Sequence, residues 1–106
     1  MNRNNQYSTL VEAIENLVRR GYTHNYRVNQ YGQLEESKTV HYLPSEVELH
    51  EFHRFEGETN PSDMSIVYAV KTKSGNKGTV VDSYGVDGSE VTSKFMNNIE
   101  QRQFDD

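Results

Sequence analysis

Apolar positions recur along the chain with two periods, and each change of period marks a new element. Between Thr9 and Gly21 the period is helical. Leu10, Ala13, Ile14, Leu17 and Val18 share one face, and Glu12, Glu15, Asn16 and Arg19 the other. Thr9-x-x-Glu12 is a capping-box pattern that opens the helix. Arg19 and Arg20 suit the negative end of its dipole, and Gly21 supplies its stop.

From Tyr22 onward the period shortens towards two. A strand is expected over about Tyr26 to Gln30, with Gly32 in the turn after it and a shorter strand around Val40 and Tyr42. Pro44 fits the first position of a turn or single helical turn at Leu43 to Glu46. A strand follows over Val47 to Phe55. Val47, Leu49, Glu51, His53 and Phe55 are expected on one side, and Glu48, His50, Phe52, Arg54 and Glu56 on the other. Neither side is cleanly apolar, which suits a place near a sheet edge. Gly57 to Asp63 carries turn chemistry. Ile66 to Thr72 and Gly78 to Tyr84 read as a hairpin around Ser74-Gly75-Asn76-Lys77 and as the centre of the sheet. Val86 to Gly88 is a turn. Thr92 or Ser93 then caps a second helix with Phe95, Met96 and Ile99 as its stripe. The expected fold is α+β in two layers: an antiparallel sheet of four to five strands with an N-terminal and a C-terminal helix on one face. The 106 residues read as a single domain, 1–106, with 1–7 and 101–106 frayed.

Composition narrows the function classes. Apolar residues make up only 33%, but seven Tyr and four Phe supply large buried areas with a polar handle on each Tyr. With no Cys, disulfides, thiolate metal sites and a cysteine nucleophile are excluded. No apolar run spans a bilayer and the first residues are polar, so a cytoplasmic protein with no membrane partner is expected. The net charge is -5, concentrated in residues 35–63, which hold eight acidic and two basic side chains. An acidic middle repels phosphate backbones, so no nucleic-acid partner is expected.

Several groups invite a chemical reading. His50-Glu51-Phe52-His53 holds metal-ligand types, but residues three apart on a strand face opposite sides, so no metal or cofactor is expected there. Three of the four His lie in the acidic segment, where carboxylates favour the protonated ring and pH-dependent stability or association would follow. Glu51, Glu56, Glu58 and Asp63 hold enough oxygens for a hard cation without the spacing of a calcium loop. No Gly-x-Ser-x-Gly elbow occurs, and Ser74 to Gly78 lacks the spacing of a phosphate loop. Tyr22, Tyr26, Tyr31, Tyr42, Tyr68 and Tyr84, with Phe52 and Phe55, form either an exposed aromatic patch or the filling of a core short of Leu and Ile.

Arg20-Gly21-Tyr22-Thr23, Phe52 to Gly57, Asn60-Pro61-Ser62-Asp63 and Lys77 to Gly85 resemble a family of short bacterial proteins that often carries the label "phosphoribosylpyrophosphate synthetase". The resemblance runs from about Leu10 to Ile99 and implies no established activity. The label's chemistry would need two adjacent acids after the apolar strand, and here Ser83 and Tyr84 follow Asp82. It would also need an ATP site and a domain pair that 106 residues cannot house, so the label is read as a misannotation.

The expected function is that of a small domain without enzymatic chemistry, binding a protein partner or itself. Its candidate interaction or ligand surface is Phe52, His53, Arg54, Phe55, Glu56, Asp63, Asp82 and Tyr84. The alternative is a small-ligand or metal-binding protein using segment 50–63, with Glu51, His53, Arg54, Glu56, Asp63 and Asp82 converging in one pocket. A structural subunit of a larger assembly is a third class.

Overall fold

The computed structural model describes residues 9–55, 65–83 and 90–104. Helix α1 spans Leu10–Arg19. The Thr9 hydroxyl accepts a hydrogen bond from the Glu12 amide at 3.1 Å, as the capping pattern predicts. At the other end Gly21 takes φ 108°, and the Gly21 and Tyr22 amides donate to the Val18 and Leu17 carbonyls at 3.0 and 2.9 Å. This turn turns the chain sharply into the sheet and fixes the side chains on either side of it.

Six strands follow: β1 (His24–Val28), β2 (Leu34–Glu35), β3 (His41–Tyr42), β4 (Val47–Phe55), β5 (Ser65–Thr72) and β6 (Lys77–Ser83). A single 3-10 turn, Pro44–Glu46, precedes β4, and α2 (Glu90–Phe104) closes the chain. The sheet order is β3-β2-β1-β6-β5-β4. After the meander the chain returns through β6, which inserts between β1 and β5. The β1–β6 pair is therefore parallel, and the sheet is mixed and six-stranded, not antiparallel with four or five strands. β1 and β6 are its centre, and β5 lies next to the edge. β4 is an edge strand, as its mixed faces predict.

The two helices cover opposite faces, contrary to the single-face expectation. Ile66, Tyr68, Val70 and Val80 pack with Phe95, Met96 and Ile99 of α2. Val67 and Ala69 pack with Ala13, Leu17 and Tyr22 on the α1 side. The reason is in β5 itself. Both of its alternating rows are apolar, and a strand apolar on both faces needs cover on both. Helix α2 begins at Glu90, so Thr92 and Ser93 lie inside its first turn and do not cap it. Residues 1–7, the turn at 57–63 and the turn at 86–88 lie outside the described residues.

A β-bulge breaks the register of β4 between Leu49 and Glu51. Before it, Val47 and Leu49 sit opposite Thr72 and Val70, on the α2 side. After it, Glu51, His53 and Phe55 sit opposite Ala69, Val67 and Ser65, on the α1 side. The five odd-numbered residues expected on one face are thus divided between two layers.

Candidate functional site

That division decides where the candidate residues go. His53 is fully buried beneath α1, and Phe55 packs partly buried in the same layer. Phe52 and Arg54 lie on the opposite face. The Phe52 ring lies 6.3 Å from the Tyr68 ring, and the Arg54 guanidinium stands 5.5 Å over Phe52. Asp82 shares the face of Arg54, with Ile66 of β5 between them in register. Glu56, Asp63 and Tyr84 lie outside the described residues. The ligand alternative needs Glu51 and His53 to meet Arg54 and Asp82, and the sheet itself separates the two pairs. Among the described residues, no three His, Asp or Glu side chains converge as metal ligands. Tyr22, Tyr26, Tyr42 and Tyr68 are buried, so those four rings fill the core. Tyr31 is exposed at 77%.

What the fold does assemble is a polar cluster where the end of α1 meets the bulge. Arg20 donates twice to Glu51, at 3.1 and 2.6 Å, a two-pronged pair between an exposed guanidinium and a buried carboxylate. His53 Nε2 lies 2.8 Å from Glu51 Oε1, the oxygen that also accepts from Arg20 Nη1. The Arg20 hydrogen bonds hold the Glu51 carboxyl down at about 2, against burial that would raise it, with His53 adding to the lowering. An ionised carboxylate only accepts, so His53 carries its proton on Nε2.

A second chain runs beside the first. The Tyr22 hydroxyl lies 2.8 Å from His50 Nδ1, and His50 Nε2 lies 3.1 Å from the Glu48 carboxylate. With Glu48 accepting, a neutral His50 holds its proton on Nε2 and accepts from Tyr22. The order hydroxyl, imidazole, carboxylate is that of a nucleophile relay. Burial, however, pushes the Tyr22 phenol up; Arg20 opposes that and Glu51 adds to it. The chain ties the Tyr22 hydroxyl to β4 and so holds its ring in place. Two cations flank its ring, Lys77 Nζ at 4.6 Å and the Arg20 guanidinium at 5.7 Å from the centroid. Lys77 also donates to the Arg20 carbonyl at 3.2 Å, capping the end of α1.

A third polar group lies at the far end of the sheet. One Glu36 carboxylate oxygen accepts from Tyr26, Tyr42 and Asn76 at 3.2, 3.3 and 3.3 Å. Burial, then Glu36, push the Tyr26 phenol far above its usual range. This network ties β1, β2, β3 and the β5–β6 turn together.

Next to the Arg20 cluster the α1 face of the sheet opens. α1 lies over β5 and reaches β4 on one side and β6 on the other. Beyond it, a groove of about 380 Å³ is lined by Ile14, Val18, Tyr22, Thr23, His24, Asn25, Thr79 and Val81. Val18 and Val81 on its walls are 44% and 43% exposed, and Val11, two turns along the same helix, is 63% exposed. Past the groove the surface is polar: Arg27 pairs with Glu35 at 3.0 Å, and His41 approaches Glu35 at 3.4 Å. A second groove of about 390 Å³ lies between the β1–β2 turn and α2, with Gln30, Tyr31, Lys94 and Asn98 among its walls.

In sequence Arg20 reads as a helix end and Tyr22 as one of the aromatic set, and neither is among the candidate site residues. Their partners on β4 lie about thirty residues away, and the bulge that turns Glu51 towards them has no marker in the local pattern. No family model, no curated protein and no solved structure matches this chain. No helix among the described residues is long and apolar enough to cross a membrane.

Proposed function

We propose that the chain is a protein-interaction domain without catalytic chemistry, and that its contact surface is the groove between α1 and β6. One observation carries the reading. α1 covers β5 and the near parts of β4 and β6, the face beyond it over β1 has no helix among the described residues, and exposed valines, Val18 of α1 and Val81 of β6, stand on both walls of the groove at that margin. Exposed aliphatic side chains gathered in one concave strip mark a contact surface. The titratable clusters speak for the same reading. The Arg20–Glu51–His53 group is spent on its own neutralisation, and the Tyr22 relay ends on a phenol that burial holds protonated. The β4 edge remains a second contact line, interrupted by its bulge.

Native mass spectrometry of gently purified protein tests this, compared with a Val18→Asp/Val81→Asp variant. Both side chains are more than two-fifths exposed, and far-UV circular dichroism checks that the variant keeps its fold. The expected result is an assembly heavier than 12.3 kDa that the variant loses. A wild-type spectrum identical to that of the variant overturns the reading. A retained small molecule that survives both substitutions overturns it in favour of the ligand alternative.

A further inference from the structure

We infer that the occupant of this groove is helix α1 of a second copy, laid antiparallel to the first, so that the protein is a weak symmetric dimer. The inference rests on the interaction reading above and names its partner. Val11, Ile14 and Val18 recur at spacings of three and four, which places them in one stripe along α1. Ile14 and Val18 border the groove, opposite Val81 of β6. Five large apolar side chains among the described residues are exposed, and three of them, Val11, Val18 and Val81, belong to this strip. The stripe is therefore where the molecule has apolar surface to lose.

Charge selects the occupant and its direction. On the exposed side of α1, Glu15 stands beside the stripe, and Arg19 and Glu12 stand farther round the helix, Glu12 in its first half and Arg19 at its end. An antiparallel pairing that sets Val11 against the second copy's Val18 brings that copy's Arg19 level with Leu10. Glu12 is then displaced by two residues, about 3 Å along the axis. Each helix meets the other's acids with its own Arg19, twice by symmetry, and the two helix dipoles oppose. A parallel pairing would set Arg19 against Arg19 and Glu12 against Glu12. The antiparallel direction also brings Glu15 to within one residue, about 1.5 Å along the axis, of the second copy's Glu15, so its preference rests on the two Arg19–Glu12 contacts and the opposed dipoles. A ten-residue helix spans about 15 Å, so the contact is small and association is concentration-dependent.

Sedimentation equilibrium from micromolar to millimolar protein tests this. The expected mass rises from 12.3 kDa towards twice that value. Val18→Asp and Arg19→Glu should each weaken self-association by about tenfold or more. Arg54→Glu, on the opposite face, should leave it unchanged, and far-UV circular dichroism should match wild type for all three. The decisive arm mixes two variants. Glu12→Lys/Glu15→Lys repels itself, and Arg19→Glu repels itself, yet each complements the other at both symmetric contacts. Their mixture should recover the wild-type dimer. A wild type that stays at 12.3 kDa, a dimer indifferent to Val18→Asp and Arg19→Glu, or a mixture that stays monomeric overturns the inference. If the wild type is monomeric alone but native spectra show a different polypeptide lost with Val18→Asp/Val81→Asp, the interaction reading stands and the second copy is wrong. If neither assembly forms, both fail.

Discussion

Over β4 and β5 the α1 face of the sheet is closed. Ala13, Leu17, Val67 and Ala69 are entirely shielded from water, and the Glu51 carboxylate drawn beneath the helix is held by an arginine and a histidine. Over β6, β1 and β2 the same face is open. Its ion pair, Arg27 with Glu35, is solvated, and its valines stand out from the surface. One sheet therefore carries a region that is largely dry and, past the buried Thr79, a region that stays largely solvated. Substitutions should cost much in the first and little in the second, because free energy of folding follows the surface removed from water. The open region is then available to change for reasons other than stability.

The contrast can be broken most strongly at Leu17. Its side chain is fully buried between α1 and the sheet, and Leu17→Ala should destabilise by about 3 kcal/mol, within the usual 2–5 for such truncations. In a domain of this size that lowers the melting midpoint by about 10–20 °C. Val18→Ala, the adjacent residue on the open side, should cost under about 0.5 kcal/mol. Equal losses at the two positions would mean that the groove is already filled in solution.

Gly78 lies at the seam, on the parallel β1–β6 pair that joins the two regions. A Cβ added there would run into the His24 carbonyl group and stand 2.6 Å from the Tyr26 ring. The backbone cannot give way without opening the pair, so Gly78→Ala should cost about 1–3 kcal/mol. Chemical denaturation gives the size. Amide exchange in β1 should rise with it, and a loss of protection confined to β4 would refute the placement of the seam.

Glu51→Gln comes next. It leaves Arg20 without its carboxylate and His53 with a neutral acceptor. Arg20 keeps water on one side, so about 2 kcal/mol is expected, below the loss for a fully buried pair. The acid limb isolates the same group. Its folded carboxyl titrates at about 2 and its ordinary value is 4.5, so its contribution is complete above about 4.5 and disappears as pH falls towards 2. Within that window one extra proton binds the unfolded chain, a slope of up to about 1.4 kcal/mol per pH unit. Urea midpoints at several pH values should show the slope in wild type and its loss in Glu51→Gln. A slope that persists in the variant would place the acid sensitivity elsewhere.

How much of this was legible in sequence follows from how far each determinant reaches. The ends of α1, the β5–β6 hairpin and the edge character of β4 were readable because capping, turn and alternation signals act over a few residues. The apolar rows on both faces of β5 were visible too, and their meaning, a helix on each side, is a rule that the single-face expectation overlooked. The parallel return of β6 was not readable, because nothing in Lys77–Ser83 distinguishes a neighbour on one side from one on the other. The bulge at His50 was least readable, and it had the largest consequence. A one-residue slip parted Glu51 and His53 from Val47 and Leu49 and carried them beneath α1 to Arg20, while plain alternation, slip or no slip, keeps Arg54 and Asp82 on the other face and denies the pocket that segment 50–63 suggested.

The smallest effect is expected at Arg27, and its smallness sharpens the contrast. Arg27 is the first cause that holds the Glu35 carboxyl below its ordinary value, followed by Asn29, so on charge alone the open region resembles the closed one. The difference is water. The Arg27 side chain is 82% exposed, and an ion pair at such a surface loses little when one partner goes, because solvent and salt already screen it. Arg27→Ala should therefore leave the unfolding midpoint unresolved from wild type at neutral pH and leave most of the acid slope in place, since the largest part of that slope comes from the buried Glu51. Salt makes the same distinction without mutation: molar chloride should leave the Glu51-dependent slope largely intact, while the antiparallel α1 pairing weakens. If Arg27→Ala removed the slope, the open face would be contributing to stability as the closed one does, and the functional reading of its exposure would lose its physical basis.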